Sequence, residues 1–257
     1  MIPTDVSARF DAPRALATEP TAPRTAPRAA APVRPVDAAT LVLVDRSRRT
    51  PRLLLGRRNP ALKFMPGKFV FPGGRVDPQD RRVPVYGMLD TESERRLLAR
   101  VVRPSAARAR ALALAAIRET CEETGLLIGT REAGIPENLP PSWQGFGDAG
   151  VFPSLEALTF VARAITPPSL PRRFDTRFFL ADAGEIAHRE ERNIGPDTEL
   201  VELAWMTFSE AKAAEVPRIT LVIIEEVEAR LKAGNRPWTP VPFYFARAGR
   251  MLRETLA

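Results

Sequence analysis

Residues 105–125 constrain this chain more than any other stretch, because they spell out a helix with both ends marked. Ser105 can cap the N-terminus and Gly125 can stop the C-terminus after Thr124. Leu114, Ile117 and Cys121 fall on one face, so that face is expected to pack into a core. Glu119, Glu122 and Glu123 stand at i, i+3 and i+4, and their carboxylates project from one side. Like charges so spaced repel by about 0.2–0.5 kcal/mol per pair. Alone, such glutamates describe a solvated acidic face. A hard divalent cation such as Mg2+ would convert the repulsion into coordination by oxygen ligands.

The rest of the chain narrows the setting. Its 257 residues suit one sizeable domain with a tail or decorations, and 44% hydrophobic residues suffice for a core. No uninterrupted apolar run, Leu221 to Ile224 included, approaches the roughly 18 residues that suggest a membrane helix, so no membrane partner is expected. No apolar block follows the N-terminus, which argues against a signal peptide. The single cysteine, Cys121, excludes an internal disulfide and fits a reducing, cytoplasmic setting. A net charge of +7 suits a polyanionic small molecule. The basic groups are scattered arginines without interleaved aromatics, which disfavours nucleic acid.

Residues 1–36, with nine Ala and seven Pro, read as a disordered tail, and 37–257 as the domain. Strands are expected at 39–44 and 52–55, paired as a hairpin, and at 68–71, before the turn Pro72-Gly73-Gly74. Residues 81–109 have the character of an insertion. Within it, Thr91 and Glu94 form a capping-box pattern ahead of a short helix. Further strands are expected at 157–165, 176–181 and 200–206. Helices are expected after Ser209 and over 219–232, and an extended segment over 238–245.

The turn before the helix changes the reading of the glutamates. Phe71-Pro72-Gly73-Gly74-Arg75 ends a strand without side chains, which lets backbone approach a ligand or metal closely. Together with Arg118-Glu119-Thr120-Cys121-Glu122-Glu123-Thr124-Gly125-Leu126 it resembles the signature of the Nudix hydrolases. Thr120 replaces the usual aliphatic residue. Gly74 and Arg118 enclose 43 residues where the signature has 13, an excess of 30. The first acidic position of the signature falls on Asp80 when counted from Gly74 and on Arg110 when counted back from Arg118; Asp80 is the candidate. The interrupted signature is similar to that of the subgroup containing the peroxisomal acyl-coenzyme A diphosphatase. The stretches Leu54-Leu55-Gly56-Arg57-Arg58, Lys68 to Gly74 and Arg173 to Leu180 also resemble coenzyme A and acyl-coenzyme A diphosphatases. Glu199 to Trp205 resembles the late Nudix strand.

The resemblance implies an α/β/α sandwich around a mixed sheet, with a helical insertion lying near the site and shaping substrate choice. It implies Mg2+- or Mn2+-dependent cleavage of a small-molecule diphosphate. The expected substrate is coenzyme A or acyl-coenzyme A, giving 3′,5′-ADP and a phosphopantetheine product. Glu119 and Glu123 are then the main metal ligands, the Gly73 carbonyl completes the sphere, and Glu122 is a further ligand or the water-activating base. Arg118 makes an ion pair that holds the helix to its loop. Arg57, Arg58 and Gly74 are candidate substrate contacts. Glu190, Glu191 and Glu199 lie in stretches able to supply a distant base, though each reads first as a surface charge. His188 reads as a surface residue, and the aromatic cluster Trp238, Phe243, Tyr244 and Phe245 as packing. The resemblance also admits a homodimer. Two alternatives stand beside this reading: a Nudix pyrophosphatase for ADP-ribose, dinucleotides or nucleoside triphosphates, and a nucleotide-binding Nudix module without catalysis.

Overall fold

A computed structural model describes residues 3–10, 33–191 and 194–256. In chain order the elements are β1 (Thr4–Asp5), β2 (Val36–Asp45), β3 (Arg52–Arg58), β4 (Phe69–Val70), β5 (Gly73–Arg75), α1 (Thr91–Leu98), α2 (Ala106–Thr124) and β6 (Leu126–Thr130). They continue with α3 (Gln144–Asp148), β7 (Phe152–Pro153), β8 (Thr159–Ile165), β9 (Phe174–Asp182), β10 (Ile186–Arg189) and β11 (Leu200–Thr207). The last are α4 (Phe208–Ala213), α5 (Arg218–Lys232), β12 (Val241–Arg247) and β13 (Arg250–Leu256).

The main sheet runs β1-β13-β12-β8-β9-β2-β3-β11, with β4 beside β3 and β5 beside β2. It is mixed: β2 lies parallel to β9 and β12 parallel to β8, while the other pairs are antiparallel. The second half of β2 explains why both faces are covered. Leu41 and Leu43 point into a core with α2, Phe160 and Phe179, whereas Val42 and Val44 point into a core with Val222, Ile223 and Val227 of α5. A strand buried on both faces reads as a continuous apolar run, as ATLVLV does. The result is the expected α/β/α arrangement.

Helix α2 starts and stops as its sequence requires. Ser105 Oγ accepts from the Arg108 N–H at 3.2 Å, and Gly125 takes the left-handed conformation at φ 71°. An arginine–aspartate network ties its first turns to the sheet. Arg108 makes a bidentate pair with Asp37 at 2.8 Å, and Arg177, fully buried, reaches Asp37 and Asp175 at 3.0 Å. Arg163 pairs with Asp175 through two bonds of 2.8 and 2.7 Å and donates to the Arg100 carbonyl beyond α1.

Several expectations need correction. The tail is not structureless at its ends: β1 pairs with β13, and β2 already begins at Val36. Residues 11–32 lie outside the described ones. Helix α1 is capped by Asp90, whose carboxylate accepts from the Ser93 N–H at 2.9 Å, and Thr91 is its first residue. Strands β6, β10 and β13 were not expected. Among the described residues no helix is long and apolar enough to cross a membrane.

Candidate active site

The last two turns of α2 carry Arg118, Glu119, Glu122 and Glu123 past the strand β5. Arg118 is only 5% exposed and is the hub of the arrangement. Its Nε and Nη2 donate to the two oxygens of Asp80, at 2.8 and 3.1 Å. Nη2 also donates to the Arg75 carbonyl at 2.8 Å, and Nη1 to Glu119 at 2.8 Å and Glu122 at 3.3 Å. Asp80 itself is fully buried in a single turn of 3₁₀ helix, Pro78–Arg82, and accepts further from Trp143 Nε1 at 3.2 Å and the Asp77 N–H at 2.8 Å. Three hydrogen bonds from Arg118 thus fix β5 and the loop after it onto the helix, and charge-assisted pairs of this kind are the strong ones.

Glu119 lies against Gly74 so closely that a β-carbon there would come within 2.4 Å of its carboxylate. Gly73 donates its backbone N–H to Glu123 Oε2 at 3.0 Å. Burial raises the Glu119 carboxyl above its usual range, against the pull of Arg118. Burial, followed by repulsion from Glu199 and Glu119, pushes Glu123 well above it, and the Gly73 N–H and Arg58 only partly compensate. Glu199 arrives from the segment before β11 and pairs with Arg58 Nη1 at 2.7 Å. Two partly buried carboxylates, Glu119 and Glu123, thus lie within electrostatic reach of each other and of the more exposed Glu199, and carboxylate oxygens are donors that suit a hard divalent cation. As the side chains stand, no group of three acidic, histidine or cysteine side chains among the described residues is disposed to hold a metal ion.

These groups line one end of a cleft of about 890 Å3. From Gly73, Gly74, Arg118, Glu119, Glu123 and Glu199 it extends across the sheet to Ile165, Leu170, Phe174, Ile219 and Met251.

The same architecture occurs in solved structures. A Nudix hydrolase from Alicyclobacillus acidocaldarius is 27% identical over 76% of this chain and 91% of its own, with a TM-score of 0.54. This chain has the Nudix hydrolase fold, the scaffold of enzymes that act on phosphorus-containing anhydrides. Other matches are more distant. The Nudix domain of Shewanella oneidensis NrtR complexed with ADP ribose is 12% identical, covering 77% of this chain and 90% of that one, with a TM-score of 0.44. A Caenorhabditis elegans Ap4A hydrolase in a binary complex is 15% identical over 77% and 99%, with a TM-score of 0.40. No family model and no curated protein matches the sequence.

Within the Nudix fold the residues singled out from the sequence separate into two groups. Glu119, Glu123, Gly73, Gly74, Arg118 and Arg58 all line the cleft. Glu122 stands outside it, with its side chain 40% exposed beside Arg118. Arg57 points away: it pairs with Glu202 at 2.9 Å and covers the Phe69 ring at 4.8 Å. Of the three distant acidic candidates Glu199 lines the cleft and Glu190 and Glu191 do not. Arg110 donates to the Val83 carbonyl and has no part in the site, so the Arg118 partner is Asp80. None of residues 81–109 lines the cleft, which corrects the expectation that the helix among them lies beside it. Helix α1 packs on β8 instead, with Ser93 Oγ accepting from the Phe160 N–H at 2.9 Å. His188 bonds Arg131 at 2.9 Å, Cys121 is buried in the core, and Phe243 and Tyr244 pack there too, while Trp238 is 64% exposed.

Sequence reasoning missed Trp143, which closes the Asp80 cage from the 3₁₀ turn Pro141–Trp143, 63 residues away. It also missed Phe10, Leu170, Ile219 and Met251. No local pattern marks any of these.

Proposed function

We propose that this chain is a divalent-metal-dependent hydrolase of a diphosphate linkage, and that its substrate is coenzyme A or an acyl-coenzyme A, cleaved to 3′,5′-ADP and a phosphopantetheine product. The observation that carries this reading is a cleft with converging carboxylates at one end and an apolar arm at the other. The first feature suits a diphosphate held through Mg2+ or Mn2+, and the second suits an acyl or pantetheine portion. The resemblance of residues 54–58, 68–74 and 173–180 to coenzyme A diphosphatases points the same way.

When bound, the cation supplies neutralisation of the diphosphate charge and a water of lowered pKa. Glu119 and Glu123 would hold it, with the Gly73 carbonyl and Glu122 as the remaining candidates. Arg118 positions Glu119, and the Gly73 N–H orients Glu123. Glu199 takes the proton of the attacking water, and Arg58 steadies the Glu199 carboxylate beside the phosphates. Gly74 leaves room for the Glu119 carboxylate at the backbone.

The test is Mg2+- or Mn2+-dependent cleavage of coenzyme A, acyl-coenzyme A, ADP-ribose, dinucleotides and nucleoside triphosphates, resolved by mass. Release of 3′,5′-ADP is the expected result. Preferential turnover of another diphosphate would overturn the substrate assignment. Nucleotide binding without any metal-dependent turnover would overturn catalysis itself.

A further inference from the structure

The far end of the cleft is not built by the elements that carry the carboxylates. Its lining includes Phe10, from the N-terminal segment Thr4 to Phe10, which the mechanism above does not use. Four strand spacings separate β2, beside the carboxylates, from β13, a distance of about 19 Å at 4.8 Å per strand. The segment lies on the outer edge of β13. Thr4 and Asp5 pair with Arg253 and Leu252, and the Val6 N–H donates to the Met251 carbonyl at 2.8 Å. The Met251 N–H returns a bond to Ser7 Oγ at 3.0 Å. Arg9 then turns inward, pairing with Glu225 and donating to the Tyr244 hydroxyl at 3.2 Å. This leaves Phe10 half-buried over Tyr244, ring centroids 5.8 Å apart, and in the cleft wall with Met251 and Ile219.

A strand of two residues and one aromatic anchor is a costly way to cover a sheet edge unless the anchor has a further use. The apolar arm gives it one. Ile165, Leu170, Phe174 and Ile219 line it together with Phe10 and Met251, with Arg172 and Arg218 among them; Phe10 and Met251 belong to the strap and to β13, the parts of the sheet farthest from the carboxylates. We propose that the strap Thr4–Phe10 is the end wall of the substrate cleft, and that Phe10 sets how long an apolar group the cleft accepts. Phe10 is a specificity-determining residue that touches the apolar end of the substrate and takes no part at the phosphates. The inference rests on the diphosphatase reading above, with an acyl or comparably apolar substituent in the arm.

The consequence is quantitative. Each methylene that gains or loses burial changes affinity by about four-fold, from the transfer free energy of one CH2. Removing the Phe10 ring lengthens the arm, and enlarging it shortens the arm. The experiment measures kcat/KM of the full-length enzyme, with Mg2+, for acyl-coenzyme A substrates of increasing chain length. Phe10→Ala is expected to raise the long-chain to short-chain ratio by at least five-fold, and Phe10→Trp to lower it by as much. Opposite shifts in the two variants separate an end wall from simple loosening of the strap, which would move both the same way. Cleavage by all three proteins with an unchanged ratio, or with a shift in the same direction for both variants, would overturn the role of Phe10 and leave the diphosphatase reading standing. Failure of the unmodified protein to cleave these substrates would instead overturn that reading.

Discussion

Replacing Asp80 with Asn tests whether the first acidic residue of the signature is an anchor or a metal ligand. The carboxylate is fully buried and receives four donors, two on each oxygen. Oδ1 takes Arg118 Nε and Trp143 Nε1, and Oδ2 takes Arg118 Nη2 and the Asp77 N–H. An asparagine fits the space but must turn its NH2 toward one of these pairs, so two hydrogen bonds become donor–donor clashes and Arg118 loses its buried counter-charge. Breaking a buried pair by removing one charge costs about 3–5 kcal/mol. The neighbouring Glu119 and the Arg75 carbonyl still satisfy part of Arg118, so the lower end, about 3 kcal/mol, is expected. For a domain of this size that lowers Tm by roughly 6–12 °C. Urea unfolding gives the free energy, and a Mn2+ titration of the folded variant gives the metal affinity. The anchor role predicts a large loss of stability with weaker metal binding only through a displaced Glu119. A variant that unfolds within 1 kcal/mol of the parent but no longer binds Mn2+ would refute the anchor and make Asp80 a ligand.

Four further outcomes follow from the same geometry. Gly74→Ala forces the Glu119 carboxylate aside, and because that carboxylate ends a flexible side chain, turnover is expected to fall ten-fold or more while circular dichroism and Tm barely change. Glu123→Gln is expected to lose at least two orders of magnitude in kcat and to raise the Tm of the metal-free protein, since burial already opposes the Glu123 charge; near-normal turnover would remove Glu123 from the metal site. The raised Glu123 value means its contribution to stability is full below its usual value near 4.5 and is lost as pH rises through the folded value. Mn2+, by pairing with that charge, should therefore raise Tm more at pH 8 than at pH 5 in a thermal-shift assay. For Asp37 burial opposes ionisation, but the Arg108 hydrogen bonds with the charges of Arg177 and Arg108 outweigh it and hold the carboxyl below 3.8. Its stabilisation is present above that value and lost as pH falls through the folded one, so Asp37→Asn should flatten the acid limb of a pH–stability curve.

What could be read from the sequence is what local chemistry determines. The hairpin of β2 and β3 and the helix from Ser105 to Gly125 each follow from period, caps and stops within a few residues. The late strands β8, β9 and β11 also carry apolar runs long enough to be seen. Strand β13 escaped because RMLRETL carries three charges, although its backbone pairs on both sides, with β1 and β12. Strand β6 escaped because the helix stop at Gly125 leads directly into it, with no loop to signal a new element.

The site divides along the same line. Glu119, Glu123, Gly73 and Gly74 were legible because one turn and one helix hold them, and their spacing is the chemistry. Arg57 and Arg58 were legible only as a pair, and strand geometry had to separate them. Adjacent residues on β3 face opposite ways, so Arg58 enters the cleft while Arg57 meets Glu202 on β11. Glu199 shows the limit from the other side. Nothing in its neighbours distinguishes it from Glu190 or Glu191, because its value to the site comes from β11 pairing with β3 and setting it opposite Arg58. Its closeness to Glu119 and Glu123 is electrostatically unfavourable in the metal-free protein, and folding tolerates that cost although Arg58 offsets only part of it. Repulsion retained among three carboxylates at the end of a cleft is what a cation-dependent centre requires and what a stability-optimised surface would remove. That argument, drawn from tertiary placement, supports the cation-holding role proposed for the acidic helix face, which its spacing alone left open.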